Sequence, residues 1–342
     1  MRPTVHDIAE MAGVSLATVD RVLNRRPGVR TATRAHVEAV IEKIGYVRDI
    51  AAANLAKGRV YPLVFIIPGG SNSFMGGLRE EIRAAIGRSG QERTNIRLVE
   101  VPPFDGPSLA RALSALLAEP PAGIAVVAVD DPAVFAAFAA LKVAGVAIVT
   151  LVSDLPGSAR DHFAGVDNIA AGRTAVSLMG RFLRGVAGDV AVVAGSMLVR
   201  DHRERLEGFS AGLPEVNPGL HLLAVMEGHD DPEEVHALIG QCLRLHPDIK
   251  GIYSLGGGNR GLIKALSETR FDGERPVVIV HELSPFTRAA LEDGQIDVIL
   301  NQDAGHEVRS AIRVLKAKVD GLPVIDAQER IRLDIFVKDN LP

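Results

Sequence analysis

Two stretches of the chain place residues at spacings that carry chemistry. In the first, Ser15-Leu16-Ala17-Thr18-Val19-Asp20-Arg21 follows a glycine turn at Gly13. A helix begun at Ser15 turns Leu16, Ala17, Asp20 and Arg21 outward, and its N-terminus attracts phosphate while its first residues reach base edges in a DNA major groove. Asp20 puts a carboxylate on that face, able to accept from a cytosine amine or to pair with a neighbouring arginine. In the second, Gly256-Gly257-Gly258-Asn259-Arg260-Gly261 satisfies G-x-G-x-x-G between a strand and a helix, with Glu282 21 residues further on. That is the dinucleotide-binding fingerprint. It falls late in the body with no separate catalytic domain before it, and glycines that let backbone approach a small ligand account for it equally well. His229-Asp230-Asp231 reads as a helix-start cap rather than a metal site. H-E-x-x-H, G-x-x-x-x-G-K-[ST] and G-x-S-x-G are absent. No catalytic residue, cofactor or metal is expected.

The elements that position the first stretch are short helices. Thr4 with Asp7 forms a capping-box pattern before Val5–Ala12, in which Ile8, Met11 and Ala12 share a face. Ser15 caps a second helix to about Asn24, with Val19, Val22 and Leu23 inward. Thr31 is placed to cap a third, with Val37, Val40, Ile41 and Ile44 inward and Gly45 at its end. Two short helices joined by a glycine turn make the helix-turn-helix unit. Charge agrees: the chain carries −4 overall, but residues 1–59 carry +4 and the remainder −8. A basic head on an acidic body suits a polyanionic partner.

The run TVHDIAEMAGVSLATVDRVLN followed by VRTATRAHVEAVIEKIGYV resembles the DNA-binding headpiece of lactose-repressor (LacI/GalR) family regulators over nearly all of residues 3–57. The resemblance implies base reading by Leu16, Ala17 and Arg21 and backbone contacts by Thr4, Ser15, Thr18 and Asn24. Two residues depart from the family pattern: Asp20 stands where serine is usual, and Arg48 where proline is common. Asp49–Lys57 resembles the family's hinge helix, with Leu55 at the position that wedges into the minor groove. Nine residues are fewer than the ~12–15 an isolated helix needs in water, so this segment is expected to fold only when two copies pair on DNA.

Of the 342 residues, 47% are apolar and 23% charged, a globular composition that excludes wholesale disorder. No apolar run reaches a membrane span, and the N-terminal stretch has no secretory apolar core, so a cytoplasmic protein is expected. The single cysteine, Cys242, excludes an intrachain disulfide. After Arg59, ten short apolar runs, from Leu63–Ile67 to Ile331–Phe336, alternate mostly with amphipathic segments. That order predicts an α/β body of two doubly wound, parallel-sheet subdomains with ligand at the strands' carboxyl ends. The expected divisions are 1–47 for the all-α head, 48–59 for the hinge, 60–164 with 297–321 for one subdomain, and 165–296 with 322–342 for the other.

The body resembles the type I periplasmic sugar-binding proteins, as do the bodies of lactose-repressor family members. By that resemblance Asn72 bonds sugar hydroxyls and Phe74 packs on a sugar face. Asp130 follows the third strand, and Asp167 takes a hydroxyl. Arg205, in Arg205-Leu-Glu-Gly208-Phe209, offers a fork of donors. Asn259 faces the effector, Glu282 stands where an acid follows its strand, and Gln302 is the last contact. Val152 departs from the pattern, standing where sugar binders often carry an acid; Asp154 compensates only if its loop shifts. The expectation is a dimeric, DNA-binding repressor that binds a double-stranded operator and is released by a small sugar or polyol. Co-repression, a solute-binding module and an NAD-linked enzyme are the alternatives.

Overall fold

The computed structural model describes residues 3–46, 58–271 and 273–342. The chain divides into two compact units, Met1–Arg59 and Val60–Pro342.

The head is built from α1 (Val5–Ala12), α2 (Leu16–Leu23) and α3 (Thr31–Lys43). Its capping box forms as the sequence suggests: Thr4 Oγ1 accepts from Asp7 N at 3.4 Å and Asp7 Oδ2 accepts from Thr4 N at 2.7 Å. Gly13 ends α1 at φ 62°, the left-handed conformation that glycine adopts without strain. Ser15 Oγ accepts from Thr18 N and caps α2. Ile8, Ala12, Val19, Val22, Val37 and Val40 close the small core. Two expectations change. Met11 is half exposed, because Ile8 and Ala12, four residues apart, define the inward stripe and Met11 falls on its flank. Thr31 does not cap α3; it is the first helical residue, and Arg30 precedes it with no side-chain cap bond.

The body contains two sheets. The first comprises β1 (Tyr61–Pro68), β2 (Thr94–Val101), β3 (Gly123–Val126), β4 (Ala147–Leu151) and β5 (His162–Ala164), parallel throughout in the order β2-β1-β3-β4-β5. Three helices of this half are α4 (Ser73–Gly87), α5 (Gly106–Ala115) and α6 (Pro132–Val143). The second half runs α7 (Asn168–Phe182), β6 (Gly188–Ala194), α8 (Arg200–Val216), β7 (Leu220–Leu222), β8 (Met226–Glu227), α9 (Pro232–Leu245), β9 (Gly251–Ser254), α10 (Asn259–Glu268), β10 (Val277–His281), α11 (Pro285–Glu292) and β11 (Val298–Gln302). After α12 (Ala304–Asp320), β12 (Leu333–Phe336) completes a sheet of order β12-β11-β10-β9-β6-β7, with β8 on the end of β6. Each sheet buries an apolar cluster on both faces. That explains why the central strands, such as Leu63–Ile67 and Val190–Ala194, read as continuous apolar runs.

The expected boundary at 297 is displaced. β11 pairs with β10 and β12 in the second sheet, whereas α12 packs on α4, β3 and β4 of the first, so the chain crosses after Gln302. β12 returns to the second sheet antiparallel to β11 rather than parallel. The short strands β5 and β8 lack a long enough apolar run to be seen in the sequence.

The two sheets share one winding pattern: the order reverses between β1 and β3 in the first and between β6 and β9 in the second. Loops leaving the carboxyl ends at such a reversal splay apart and leave a crevice. The helices behind the second crevice approach unusually closely. A Cβ on Gly172 of α7 would lie 2.0 Å from the Arg205 carbonyl oxygen, and one on Gly208 of α8 would lie 2.1 Å from that of Ile169. These are backbone contacts that no rotamer change relieves. Gly172→Ala is therefore expected to lower unfolding stability by about 1–3 kcal/mol through overpacking. Urea denaturation checks this; an unchanged midpoint would mean that α7 and α8 separate at no cost.

Candidate effector cleft and nucleic-acid face

The loops at the two reversals line a cavity of about 230 Å³. One wall is apolar, with Phe74, Phe104, Val127 and Val152. The other carries the charged groups Asp201, Arg205, Asp230 and Glu282.

Arg205 is the anchor of that wall, only 3% exposed. Its Nε donates to Asn168 Oδ1 at 2.8 Å and its Nη1 to the Leu255 carbonyl at 2.9 Å. Its Nη2 lies 3.8 Å from Glu282 Oε1. A buried guanidinium is retained only where its hydrogen bonds are met, and the close α7–α8 crossing brings Asn168 within its reach.

Glu282 follows β10 in a left-handed conformation, φ 72°, which a non-glycine residue rarely adopts. Its carboxylate accepts from Gln302 Nε2 at 2.9 Å and from Gln302 N at 3.2 Å. Burial pushes this carboxyl up to about 7, against the opposing pull of Arg205 and the Gln302 bonds. Behind it, Glu307 of α12 is fully buried and held well above the ordinary carboxylate range by burial and by Glu282. His281 is neutral: burial depresses it well below the usual imidazole value, and its Nε2 meets the Tyr253 hydroxyl at 2.8 Å.

Six of the eight residues expected at the effector site line the cavity: Asn72, Phe74, Arg205, Asn259, Glu282 and Gln302. Two of these are already occupied by the protein. Asn72 Oδ1 caps α4 through Phe74 N and Met75 N, and its Nδ2 crosses the cleft to Asp230 Oδ2 at 2.7 Å. Asn259 accepts from Ser254 Oγ and donates to the His281 carbonyl. The other two stand outside the lining, a correction to the expectation. Asp167 is exposed and caps α7 by accepting from Ala170 N. Asp130 is exposed and paired with Arg203 at 2.5 Å. Asp154 does not replace the acid missing at Val152, since it accepts from Thr150 Oγ1 and Leu155 N and pairs with Arg160.

The sequence reading missed Asp201, His202 and Asp230 on the lining. The signal for Asp230 lay in the glycine-rich loop. Its Oδ1 accepts from Gly257 N at 2.6 Å, and a Cβ on Gly195, Gly256 or Gly257 would lie within 3 Å of the Asp230 side chain. Gly261 instead lets α10 approach the Pro232 carbonyl, where a Cβ would sit at 1.9 Å. A carboxylate thus occupies the backbone amide that the dinucleotide fingerprint would offer to a pyrophosphate.

On the head, Thr4, Ser15, Leu16, Ala17, Asp20 and Arg21 are all exposed, and Thr18 and Asn24 are partly buried. Asp20 is held by its neighbours: Oδ1 accepts from Asn24 Nδ2 at 2.6 Å and Oδ2 pairs with Arg26 at 3.2 Å. Leu55 and most of the hinge lie outside the described residues. No helix among the described residues is long and apolar enough to cross a membrane.

Comparison with known proteins gives these two parts their family. The periplasmic binding protein domain matches residues 63–323, and the lacI family of bacterial regulatory proteins matches residues 4–49. The chain belongs to the periplasmic binding protein domain family over most of its length, and its head is a lacI-family helix-turn-helix domain. Over 74 residues it is 42% identical to catabolite control protein A of Priestia megaterium, 22% of each chain, so it spans about a fifth of that relative's length. It is 26% identical over 271 residues to the maltose regulon regulatory protein MalI of Escherichia coli, covering 77% of this chain and 75% of that one. Among solved structures, the glucose-galactose binding protein GanP of Geobacillus stearothermophilus superposes with a TM-score of 0.73 at 20% identity, over 83% of this chain and 99% of that one. A solute-binding protein from Burkholderia graminis in complex with D-arabinose gives 0.72 at 25% identity, over 81% and 96%.

The raised carboxyl of Glu282 has a readable consequence. A group whose value in the folded state exceeds its ordinary value contributes stability that is complete below about 4.5 and lost as pH rises through about 7. Glu282→Gln removes that titration. Thermal melts between pH 4.5 and 8 are expected to show a smaller loss of Tm in Glu282→Gln than in the parent. Parallel declines in the two proteins would contradict the assignment.

Proposed function

We propose that the protein is an effector-responsive transcriptional regulator that binds double-stranded operator DNA through α2 and senses a small sugar or polyol in the cleft. The observation that carries this reading is the pairing, in one chain, of an exposed, capped recognition helix with a cleft centred on the buried Arg205. Leu16, Ala17 and Arg21 read base edges, while Thr4, Ser15, Thr18 and Asn24 contact phosphates near the α2 N-terminus. Asp20 orients Arg26 and Asn24 rather than meeting a base, because both of its oxygens are already engaged. In the cleft, Arg205, Glu282 and Gln302 bind the polar edge of the ligand and Phe74 covers an apolar face. The protein acts inside the cell as a homodimer, since one head makes too few contacts for useful specificity and paired heads read a pseudo-palindrome. Leu55 of each copy wedges the central step of the site. Effector releases the repressor; co-repression is the opposite sign of the same linkage.

Fluorescence anisotropy with DNA from around the protein's own gene, with and without a panel of sugars and polyols, tests this reading. One compound is expected to weaken binding, and Arg205→Lys to abolish that response while operator affinity stays within about twofold, the head being a separate unit. Full response in Arg205→Lys would remove Arg205 from the site. Absence of sequence-preferring DNA binding would remove the whole proposal.

A further inference from the structure

The hydrogen-bonding capacity left over in the cleft is unbalanced. Four carboxylates line it (Asp201, Asp230, Asp231 and Glu282) against one buried guanidinium, Arg205, and Asp231 is spent on capping α9 through Glu233 N and Glu234 N. Arg205 spends Nε on Asn168 and Nη1 on Leu255, and its remaining nitrogen faces Glu282. The other guanidinium on the lining, Arg260, lies over the Phe286 ring, 5.0 Å from its centroid. Asp230 is consumed by Asn72 Nδ2 and Gly257 N. Among the described residues, three buried polar atoms of lining residues have no hydrogen-bond partner: the acceptors Asp201 Oδ1 and Gln302 Oε1, and His281 Nδ1, which lies 3.9 Å from Glu282 Oε1. Asp201 and Gln302 are 6% and 3% exposed.

His202 lies beside Asp201 on the lining: its Nδ1 meets both the Ser196 N–H at 3.1 Å and the Ser196 carbonyl at 3.0 Å, and its Nε2 lies 3.7 Å from Asp201 Oδ2. The lining thus holds four carboxylates to two guanidiniums, and both of its unpartnered oxygens call for a donor. A phosphate or carboxylate on the ligand brings acceptors and a negative charge beside Asp201 and Glu282, both desolvated. An ammonium brings three donors and the opposite charge.

We propose that the cleft selects a monosaccharide-sized ligand that carries an amino group and no acidic group, with Asp201 and Gln302 receiving the ammonium. Arg205 then meets the hydroxyl or ring oxygens, and Phe74, Phe104 and Val152 cover the apolar face. This inference rests on the sugar-binding reading of the cleft and narrows it.

Calorimetric titration of the full chain with matched sets tests it: neutral aldoses, their 2-amino-2-deoxy derivatives, their 6-phosphates and their uronic acids. Within the set that binds best, the amino sugar is expected to bind about tenfold tighter than its neutral parent, the gain of one charged hydrogen bond. The phosphate and the uronate are expected to be weaker than that parent by a similar factor or more. Asp201→Asn is expected to collapse the amino-to-neutral affinity ratio toward one. A phosphate or uronate that binds as tightly as its parent overturns the proposal. So does an amino-to-neutral ratio near one in the unaltered chain, or a ratio retained in Asp201→Asn, and each of these leaves the sugar-binding reading standing. Failure of every set overturns both.

Discussion

The body is organised around a buried guanidinium. Arg205 can be seated there only because α7 and α8 touch backbone to backbone at Gly172 and Gly208. That approach brings Asn168 to Arg205 Nε. The carbonyl of Leu255, just beyond β9, completes the seat from the second sheet. With two of its nitrogens fixed inside the protein, the remaining one is aimed rather than mobile, and its loss of side-chain entropy is incurred during folding instead of on binding. Glu282 is held opposite by a backbone conformation that a glutamate rarely adopts, and it is locked from the side by Gln302. The strain and the burial fall on the residues that face the cavity.

The same constraint explains the glycine-rich loop after β9. Gly256 and Gly257 lie against Asp230, which in turn reaches across the cavity to Asn72 at the start of α4. Arg203 and Asp130, and the bond from Arg200 N to Ser153 Oγ, join the two halves in the same way. These polar links between the sheets, unlike the apolar faces inside each half, exchange readily with water. They are the contacts a ligand can compete with or reinforce, and so the ones through which occupancy of the cleft can bias the arrangement of the halves.

Legibility from sequence followed locality. The head was readable almost residue by residue, because a capping box, a glycine turn and apolar positions three or four apart are all encoded within one or two turns. Thr31 misled because a threonine next to a helix start fits both the cap and the first helical position. In the body, the family resemblance pointed to Arg205, within α8, and to Glu282 and Gln302 at the carboxyl ends of β10 and β11. What separates Asp167 or Asp130 from Asp230 is not visible locally: all three lie in loops beyond strands, and two are spent on a helix cap and an ion pair while the third meets the cavity. The second crossing was misplaced for a related reason, since β11 and α12 are adjacent in sequence but pack in different halves. Asp201 was hidden because its role depends on the helix that carries Arg205, one turn later, being pinned from behind.

The most direct test of this account is the Nε–H signal of Arg205 in nitrogen-15 spectra of the uniformly labelled full chain, assigned by its loss in Arg205→Lys. A guanidinium held by Asn168 and Leu255 predicts a signal protected from exchange with water, which shifts when a cleft ligand is added. A signal that exchanges as fast as those of surface arginines, or that stays in place while a ligand changes DNA binding, would contradict it.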